Sequence, residues 1–421
     1  MKNNFVNSLI LIVVLTIAIQ HISIANPVHP ILKNGIWQGV IQRSDSNNIH
    51  FNFITEIKKG KQILYIINAD ERLLVDEIQQ KGDSLYITLP FFSSSIVAKI
   101  ISGNKLRGCY IKKFADRKQE IPFSASFGIK ERYAAHSNPK YNISGSWDVL
   151  FEGKKDTPTK AVGNFTQLAD GKVKGSFLTP TGDYRYLEGI VSADTLKISG
   201  FDGGFASLFT AIIKNDSTIE NANFYSGALS HEQWTATKNE FAKLPDEFSY
   251  SHLRPGETSL AFKFKDTDGK LVSIKDKRFE GKVVIVQILG SWCPNCMDET
   301  AFLSEYYKNN KQKGIEVIGL AYERTEKFEE SKIALQPFQK RFGVTYPFLI
   351  TGVTPSDPQR TEKTLPQIDH INAFPTTIFI DKKGVVRNIH TGFDGPGTGK
   401  FYEEFKKEFD GLINELVTEK D

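Results

Sequence analysis

The sequence repeats itself at a shift of 110 to 111 residues, and this duplication limits what the first part of the chain can form. The matching segments keep one order along the chain: Gly35-Ile36-Trp37 with Gly145-Ser146-Trp147, Gly60-Lys61 with Gly171-Lys172, Asp83-Ser84-Leu85-Tyr86-Ile87 with Asp194-Thr195-Leu196-Lys197-Ile198, and Phe123-Ser124-Ala125-Ser126 with Trp234-Thr235-Ala236-Thr237. Each match is short, but their common order and spacing indicate two copies of one unit.

Both copies carry the pattern of half-buried β-strands. Short stretches such as residues 49–53 and 194–198 alternate loosely between apolar and polar residues, and Gly, Asn and Asp separate the stretches. We therefore predict two all-β repeats, each a small barrel or sandwich, over residues 26–135 and 136–245. Trp37 and Trp147 are expected in their cores, because a large aromatic side chain at the start of a strand fills a core well. Neither repeat shows a catalytic constellation.

After a turn-rich connection that contains Pro245 and Pro255, the pattern changes to strands that alternate with helices. Strands are predicted at residues 283–289, 315–320, 376–380 and 385–391, and helices at 294–310, 328–342 and 400–417. This order predicts an α/β sheet with mixed strand directions over residues 246–421. The glycine-rich run 392–399 lacks the Lys-Ser/Thr of a phosphate loop and is interpreted as a turn into the last helix.

The first 25 residues have the pattern of a signal peptide. Lys2 precedes an apolar run over residues 9–19, and Ser23-Ile24-Ala25 predicts cleavage after Ala25; an uncleaved membrane anchor is the alternative. We therefore expect a periplasmic or secreted protein without a transmembrane segment after cleavage. The mature chain would carry a net charge of +3, one less than the +4 of the full chain, which does not suggest nucleic acid as a partner.

The chain contains three cysteines, too few for a scaffold stapled by disulfides. Cys109 stands alone and is expected to be a small buried apolar residue. Cys293 and Cys296 form a C-x-x-C between a predicted buried strand and a predicted helix, which indicates a redox motif. A static disulfide or half of a zinc site is the alternative, but zinc requires four ligands and the sequence nearby offers no others. No cofactor or resident metal is expected.

Helix geometry predicts different tasks for the two cysteines. Pro294 suits the first helical position, where its missing N–H would have no partner, and this makes Cys293 the N-cap. A sulfur there faces the free N–H groups of Asn295 and Cys296 and the positive end of the helix dipole, which favour the thiolate. We therefore expect Cys293 to be the nucleophile and Cys296, one turn further in, to be the resolving cysteine.

Several motifs of this region follow the pattern of one family: Pro255-Gly256 with Phe262 and Phe264, Asp268-Gly269-Lys270, Gly281-Lys282, Trp292-Cys293-Pro294-Asn295-Cys296, Glu299, and Phe374-Pro375-Thr376-Thr377. With these residues, the segment 255–421 resembles the thioredoxin fold and, within it, the TlpA/ResA-like branch of exported thiol-disulfide oxidoreductases. The resemblance implies protein thiols or disulfides as partners, with a membrane electron donor if the protein acts as a reductase. It assigns no role to the two repeats.

The resemblance also implies roles for residues around the cysteines. Pro375 matches a cis proline that presents backbone to a substrate strand, and Trp292, Phe374 and Thr376 are expected to form the substrate surface with it. Glu299, three residues after Cys296, matches a glutamate that can exchange the proton of Cys296. The alternatives are an ordinary proline at the start of a strand and a solvated helix glutamate.

Two positions depart from the family pattern. Gln287 stands where thioredoxins have a buried aspartate, and because an amide cannot relay a proton, that task shifts to Glu299 or to water. Ala301 replaces a proline that is frequent in this branch, a change expected to affect helix curvature rather than chemistry.

Three functional hypotheses follow. The first is dithiol-disulfide exchange with protein substrates, in a direction that Pro294-Asn295 does not determine. The second is a peroxiredoxin-like thiol peroxidase, which would share the fold but would need a peroxide-activating pocket. In the third, the β repeats bind a partner and the redox domain is an accessory.

Overall fold

The computed structural model describes residues 31–90, 93–113, 117–153, 158–244 and 250–419. The predicted signal peptide lies outside these ranges. Within them, no helix combines the length and the apolar character needed to cross a membrane.

The first repeat forms a nine-stranded antiparallel meander that nearly closes into a barrel. The first strand pairs with both the second and the ninth, and the fourth and fifth strands lie at the two ends of the sheet. The strands are β1 (Gly35–Ile41), β2 (Ile49–Lys58), β3 (Lys61–Asn68), β4 (Glu71–Val75), β5 (Glu77–Lys81), β6 (Ser84–Leu89), β7 (Ser94–Ser102), β8 (Lys105–Lys113) and β9 (Lys118–Phe127).

The second repeat forms a closed antiparallel barrel. Its strands are β10 (Gly145–Phe151), β11 (Thr159–Gln167), β12 (Lys172–Thr179), β13 (Gly182–Asp183), β14 (Leu187–Ser192), β15 (Thr195–Phe201), β16 (Ala206–Asn215), β17 (Thr218–Ser226) and β18 (Ser230–Lys238). β10 pairs with β18 and β11 with β12, so the ring closes through eight strands with the short β13 beside β12. A barrel of about this size is just wide enough to be filled by side chains.

The duplication seen in the sequence is present in the structure. Trp37 and Trp147 are both fully buried, as expected. Each indole Nε1 donates to a backbone carbonyl four residues earlier, Trp37 to Lys33 at 3.0 Å and Trp147 to Ile143 at 2.8 Å. β1 also pairs with β9 in the same register as β10 with β18, once the repeat shift is applied.

The prediction for Cys109 was wrong. Its side chain is a free thiol that is only partly buried in β8. Because successive side chains of a strand point to opposite faces, Tyr110 takes the buried position and Cys109 lies on the face of the exposed Arg107.

The C-terminal part forms a seven-stranded sheet between helices. The elements are β19 (Lys263–Asp266), β20 (Leu271–Ser273), β21 (Val283–Leu289), α1 (Pro294–Asn310), β22 (Ile315–Ala321), α2 (Phe328–Phe342), β23 (Phe348–Ile350), α3 (Arg360–Thr364), β24 (Thr376–Ile380), β25 (Val386–Thr391) and α4 (Lys400–Thr418). The strand order in the sheet is β20-β19-β23-β22-β21-β24-β25. β21, β22 and β23 run parallel and the other pairs are antiparallel, which confirms the predicted mixed sheet.

Both faces of this sheet are covered, which explains why β21, β22 and β24 are buried along their whole length. One face packs against apolar residues of α1, α2 and α4, and the other against Leu260, Phe262 and the segment around Ile368.

The two barrels pack against each other through Phe201 of β15. Its ring lies 4.3 Å from that of Phe51 in the first barrel, and its backbone N–H and carbonyl both bond to the side-chain amide of Asn68. A side chain of the second barrel thus completes the apolar packing of the first.

The glycine-rich run 392–399 is a turn before α4, as predicted, and is also the place where the second barrel meets the redox domain. The backbone N–H of Gly395 donates to Asp183 Oδ2 at 2.5 Å. A Cβ atom on Gly397 would lie 2.5 Å from the carbonyl oxygen of Arg185, so only glycine permits this close approach.

Candidate active site

Cys293 and Cys296 lie where the central strand β21 passes into α1. Cys293 is the N-cap of the helix and Pro294 follows at its first position, as the sequence predicts. The Cys293 sulfur accepts a hydrogen bond from the backbone N–H of Cys296 at 3.3 Å. Cys293 is 4% exposed and Cys296 is fully buried, so an incoming group reaches Cys293 first.

The surroundings of Cys296 make its thiol a weak acid. Burial, together with the hydrogen bond to Cys293 and its nearby charge, raises the pKa of Cys296 well above the ordinary value. The negative charge of Glu299 raises the pKa of this thiol further. Cys296 therefore holds its proton and needs a base before it can attack.

Of the residues predicted to meet a substrate, Phe374 lies against the Cys293 sulfur, with Pro375 next to it. That sulfur donates to the carbonyl of Phe374 at 3.3 Å, and the Phe374–Pro375 peptide bond is cis. The Trp292 ring packs edge-on against Phe374 with centroids 5.3 Å apart. Thr376 is fully buried, and its hydroxyl donates to the carbonyl of Ala373.

Glu299 is buried rather than solvated. It is 1% exposed, and its oxygens accept hydrogen bonds from Thr377 Oγ1 at 2.6 Å and Gln287 Nε2 at 2.7 Å. Burial raises the pKa of Glu299, and the two hydrogen bonds lower it. The effect of burial is the larger, so the pKa is raised to about 7. A carboxyl group with this pKa is suited to take or give a proton near neutral pH.

Comparison with known proteins identifies the family. Residues 254–404 match the Redoxin family. ResA of Geobacillus kaustophilus, a thiol-disulfide oxidoreductase, is 31% identical over 137 residues, which are 32% of this chain and 69% of that protein. ResA of Bacillus cereus is 30% identical over 165 residues, which are 39% of this chain and 80% of that protein. The chain belongs to the ResA family. Its C-terminal domain is a thiol-disulfide oxidoreductase with a thioredoxin-like fold.

A putative protein disulfide isomerase from Bacteroides thetaiotaomicron has a solved structure that is also similar. The alignment has 27% identity and a TM-score of 0.30, and covers 40% of this chain and 93% of that one.

A second buried carboxylate beside the motif was missed by the sequence reasoning. Glu323 accepts hydrogen bonds from the backbone N–H of Ser291 at 2.8 Å and from its hydroxyl at 2.7 Å. Burial raises the pKa of Glu323. A signal existed, because Glu323 follows β22, which is parallel to β21. The carboxyl ends of parallel neighbours meet at one edge of a sheet, where binding groups collect.

In this ResA family member the barrels also contribute groups beside the cysteines. Asn295, inside the C-x-x-C, donates from Nδ2 to Asp183 of the second barrel. Arg185 binds Asp298 of α1 through Nε at 2.7 Å and Nη2 at 2.8 Å, and Glu71 of the first barrel at 2.6 Å. No local pattern predicts these contacts, because each joins residues more than 110 positions apart.

Proposed function

We propose that the chain is an exported oxidoreductase that exchanges a Cys293–Cys296 dithiol or disulfide with cysteines of protein substrates. The observation that carries this proposal is the position of the Cys293 sulfur. It caps α1, 3.3 Å from the backbone nitrogen of Cys296, and it lies against the carbonyl of Phe374 beside cis Pro375. Free N–H groups and the helix dipole stabilise negative charge on a sulfur at this point.

In the reducing direction, the Cys293 thiolate attacks one sulfur of a substrate disulfide. The substrate S–S bond breaks as the Cys293–substrate bond forms, and the released sulfur takes up a proton. Cys296 then loses its proton and attacks the Cys293 sulfur, so the second substrate sulfur leaves and the enzyme keeps the disulfide. A pair of electrons has passed to the substrate, and oxidation of a substrate follows the same bonds in reverse.

Glu299 is proposed as the group that exchanges the Cys296 proton. It stands three residues after Cys296, and therefore on the same side of the helix. Gln287 of β21 and Glu299 of α1 face each other. Glu299 is the acid of this pair, because Gln287 cannot ionise. With a pKa of about 7, its carboxylate can receive the Cys296 proton when that thiol attacks.

Pro375, Phe374 and Trp292 are proposed to shape the substrate groove, and the buried Thr376 supports this backbone through its hydrogen bond to the carbonyl of Ala373. An extended substrate segment would lie along the Phe374 carbonyl and the Pro375 backbone, next to the attacked sulfur. The cis bond and the edge-on packing of Trp292 on Phe374 support this assignment because they hold that backbone against Cys293.

Export is proposed from the Lys2, 9–19 and Ser23-Ile24-Ala25 pattern. In an oxidising compartment, a reductase would need electrons from a donor in the membrane, whereas an isomerase would not. The reduction potential of the cysteine pair separates these roles, since a value near that of thioredoxin favours reduction and a much higher value favours oxidation.

The test is insulin reduction by the full chain in the presence of dithiothreitol. The wild type should accelerate precipitation of the insulin B chain, and Cys293→Ser should remain at the uncatalysed rate. Absence of acceleration by the wild type would refute the proposed exchange. N-terminal sequencing of protein recovered from the periplasm should begin at Asn26 if export occurs as proposed.

A further inference from the structure

A cavity of about 360 Å³ lies where the two barrels meet the start of α1. Pro294 and Asn295, the residues between the redox cysteines, form one wall. Phe205 and Ser230 also line the cavity and are exposed, so it opens to solvent on their side. The cavity therefore connects solvent with the immediate neighbourhood of Cys293.

The cavity is acidic. Among its described lining residues, Arg185 is the one cation. Lys112 lies near Asp202 and donates from Nζ to the carbonyl of Gly204, so it offsets part of the charge. Four acidic residues line the cavity: Glu71, Asp183, Asp202 and Glu232. Burial and the nearby Asp298 raise the pKa of Asp183 to about 7, and burial also raises the pKa of Asp202.

Arg185 also has a donor without a hydrogen-bond partner. Its Nε and Nη2 bind Asp298 and Glu71. Its Nη1 is buried, lies 3.6 Å from Asp202 Oδ2, and makes no hydrogen bond within the described part of the chain. A buried donor without a partner costs about 1–3 kcal/mol, so a ligand that brings an oxygen acceptor, such as a peptide carbonyl, is favoured here.

A substrate bound to Cys293 would reach this cavity with its neighbouring residues. Pro294 follows Cys293 directly, and consecutive Cα atoms are about 3.8 Å apart. An extended peptide advances about 3.3–3.6 Å per residue, so positions close to the substrate cysteine would lie at the cavity wall.

We propose that this cavity binds the substrate segment next to the reactive cysteine and selects a lysine or arginine there. The inference rests on the proposed function, because it requires a substrate held at Cys293. A backbone carbonyl of the segment accepts from Arg185 Nη1, and its basic side chain pairs with Asp202 and Glu232. The rings of Tyr184 and Phe205, which also line the cavity, pack against the aliphatic stem.

The test uses two peptides that carry a cysteine in a disulfide with a chromophoric thiol. They differ only in having Arg or Glu two residues after the cysteine. The second-order rate constant for release of the chromophoric thiol in a single turnover is measured with an excess of the reduced full chain at low salt. We expect the wild type to prefer the Arg peptide about tenfold, and Asp202→Asn to reduce this preference about fivefold.

The amide of Asp202→Asn keeps an oxygen for the N–H groups of Gly204 and Phe205, which Asp202 Oδ1 now accepts. The matched control is Asp216→Asn on the same barrel. The carboxylate of Asp216 is exposed, accepts the backbone N–H of Asn142 and does not line the cavity. This control should leave the preference unchanged.

Glu232→Gln provides an independent test if Asp202→Asn does not fold. This variant should also reduce the preference for the Arg peptide. Failure of the wild type to react with either peptide would overturn the proposed function. Equal rates for both peptides, or a preference that survives both substitutions, would overturn the cavity inference alone.

Discussion

Gln287 Nε2 donates a 2.7 Å hydrogen bond to Glu299 Oε2, from the central strand to the redox helix. The neutral amide stands where thioredoxins carry an aspartate, and the ionisable member of this pair is instead on α1. Thr377 holds the other carboxylate oxygen, so the position of Glu299 is defined from two strands. This arrangement leads to predictions for Glu299.

Glu299→Gln should lower the pKa of the Cys296 thiol and slow the resolving step near neutral pH. The charge of Glu299 raises the pKa of Cys296, so removal of that charge should ease thiolate formation. The same change removes the group that exchanges the Cys296 proton. Thiol titration and stopped-flow exchange measure the two effects separately.

Glu305→Gln is the matched control, because Glu305 is an exposed glutamate on the same helix. It should leave titration and rate as in the wild type. If Glu299→Gln behaved like this control, Glu299 would have no part in proton exchange.

The pH dependence of stability should also change in Glu299→Gln. The pKa of Glu299 is raised from an ordinary 4.5 to about 7, so its ionisation opposes folding. The stability that the protonated Glu299 carboxyl gives to the fold is fully present below about pH 4.5 and is lost as the pH rises through 7. Between pH 5 and 8 the wild type should lose about 2–3 kcal/mol of unfolding free energy relative to the variant.

Urea denaturation of both proteins at the two pH values tests this prediction. Any effect of the substitution on the free energy of unfolding that does not depend on pH cancels when each protein is compared at the two pH values. Parallel pH curves would mean that Glu299 titrates near its ordinary value.

Local rules were enough to predict the redox motif. The N-cap position of Cys293 follows from Pro294 and the preceding buried strand, and the duplication was visible in matches such as Trp37 with Trp147. The mixed strand directions of the C-terminal sheet also agreed with the prediction. These features depend on neighbours in sequence or on a repeat, both of which a single sequence displays.

What the sequence did not reveal depends on distant contacts. Gly397 looked like a turn residue, but it also gives the Arg185 backbone room to approach. Arg185 and Asp183 lie within a barrel that has no catalytic pattern of its own, and only packing of the three units brings them to α1. Cys109 was misjudged because its face of the strand depends on barrel closure.

Cys296→Ser should accumulate mixed disulfides with substrates, because Cys293 can still attack and nothing resolves the adduct. Cys293→Ser should accumulate none. Nonreducing gels of tagged full-length protein, followed by mass spectrometry, detect the adducts. Both variants are made in a Cys109→Ser background as well, since this third thiol is partly exposed. Equal trapping by the two variants would contradict the assignment of nucleophile and resolver.

Arg185→Met should destabilise the assembly of the three units. Arg185 lies between β13 and β14 of the second barrel. Its guanidinium contacts Glu71 in the first barrel and Asp298 in α1. Removal of one partner from a buried ion pair costs about 3–5 kcal/mol, because the remaining charges stay buried without compensation. The midpoint of thermal unfolding should therefore fall.

Arg72→Met is the control, since Arg72 is exposed beside Glu71 and its Nη1 donates to backbone carbonyls. A second comparison identifies the cause of the loss. If uncompensated charge is responsible, adding Glu71→Gln and Asp298→Asn to Arg185→Met should restore much of the stability, because neutral amides need no cation. If the triple variant is less stable than Arg185→Met, packing of the side chain rather than charge holds the units together, and the electrostatic account of this contact is wrong.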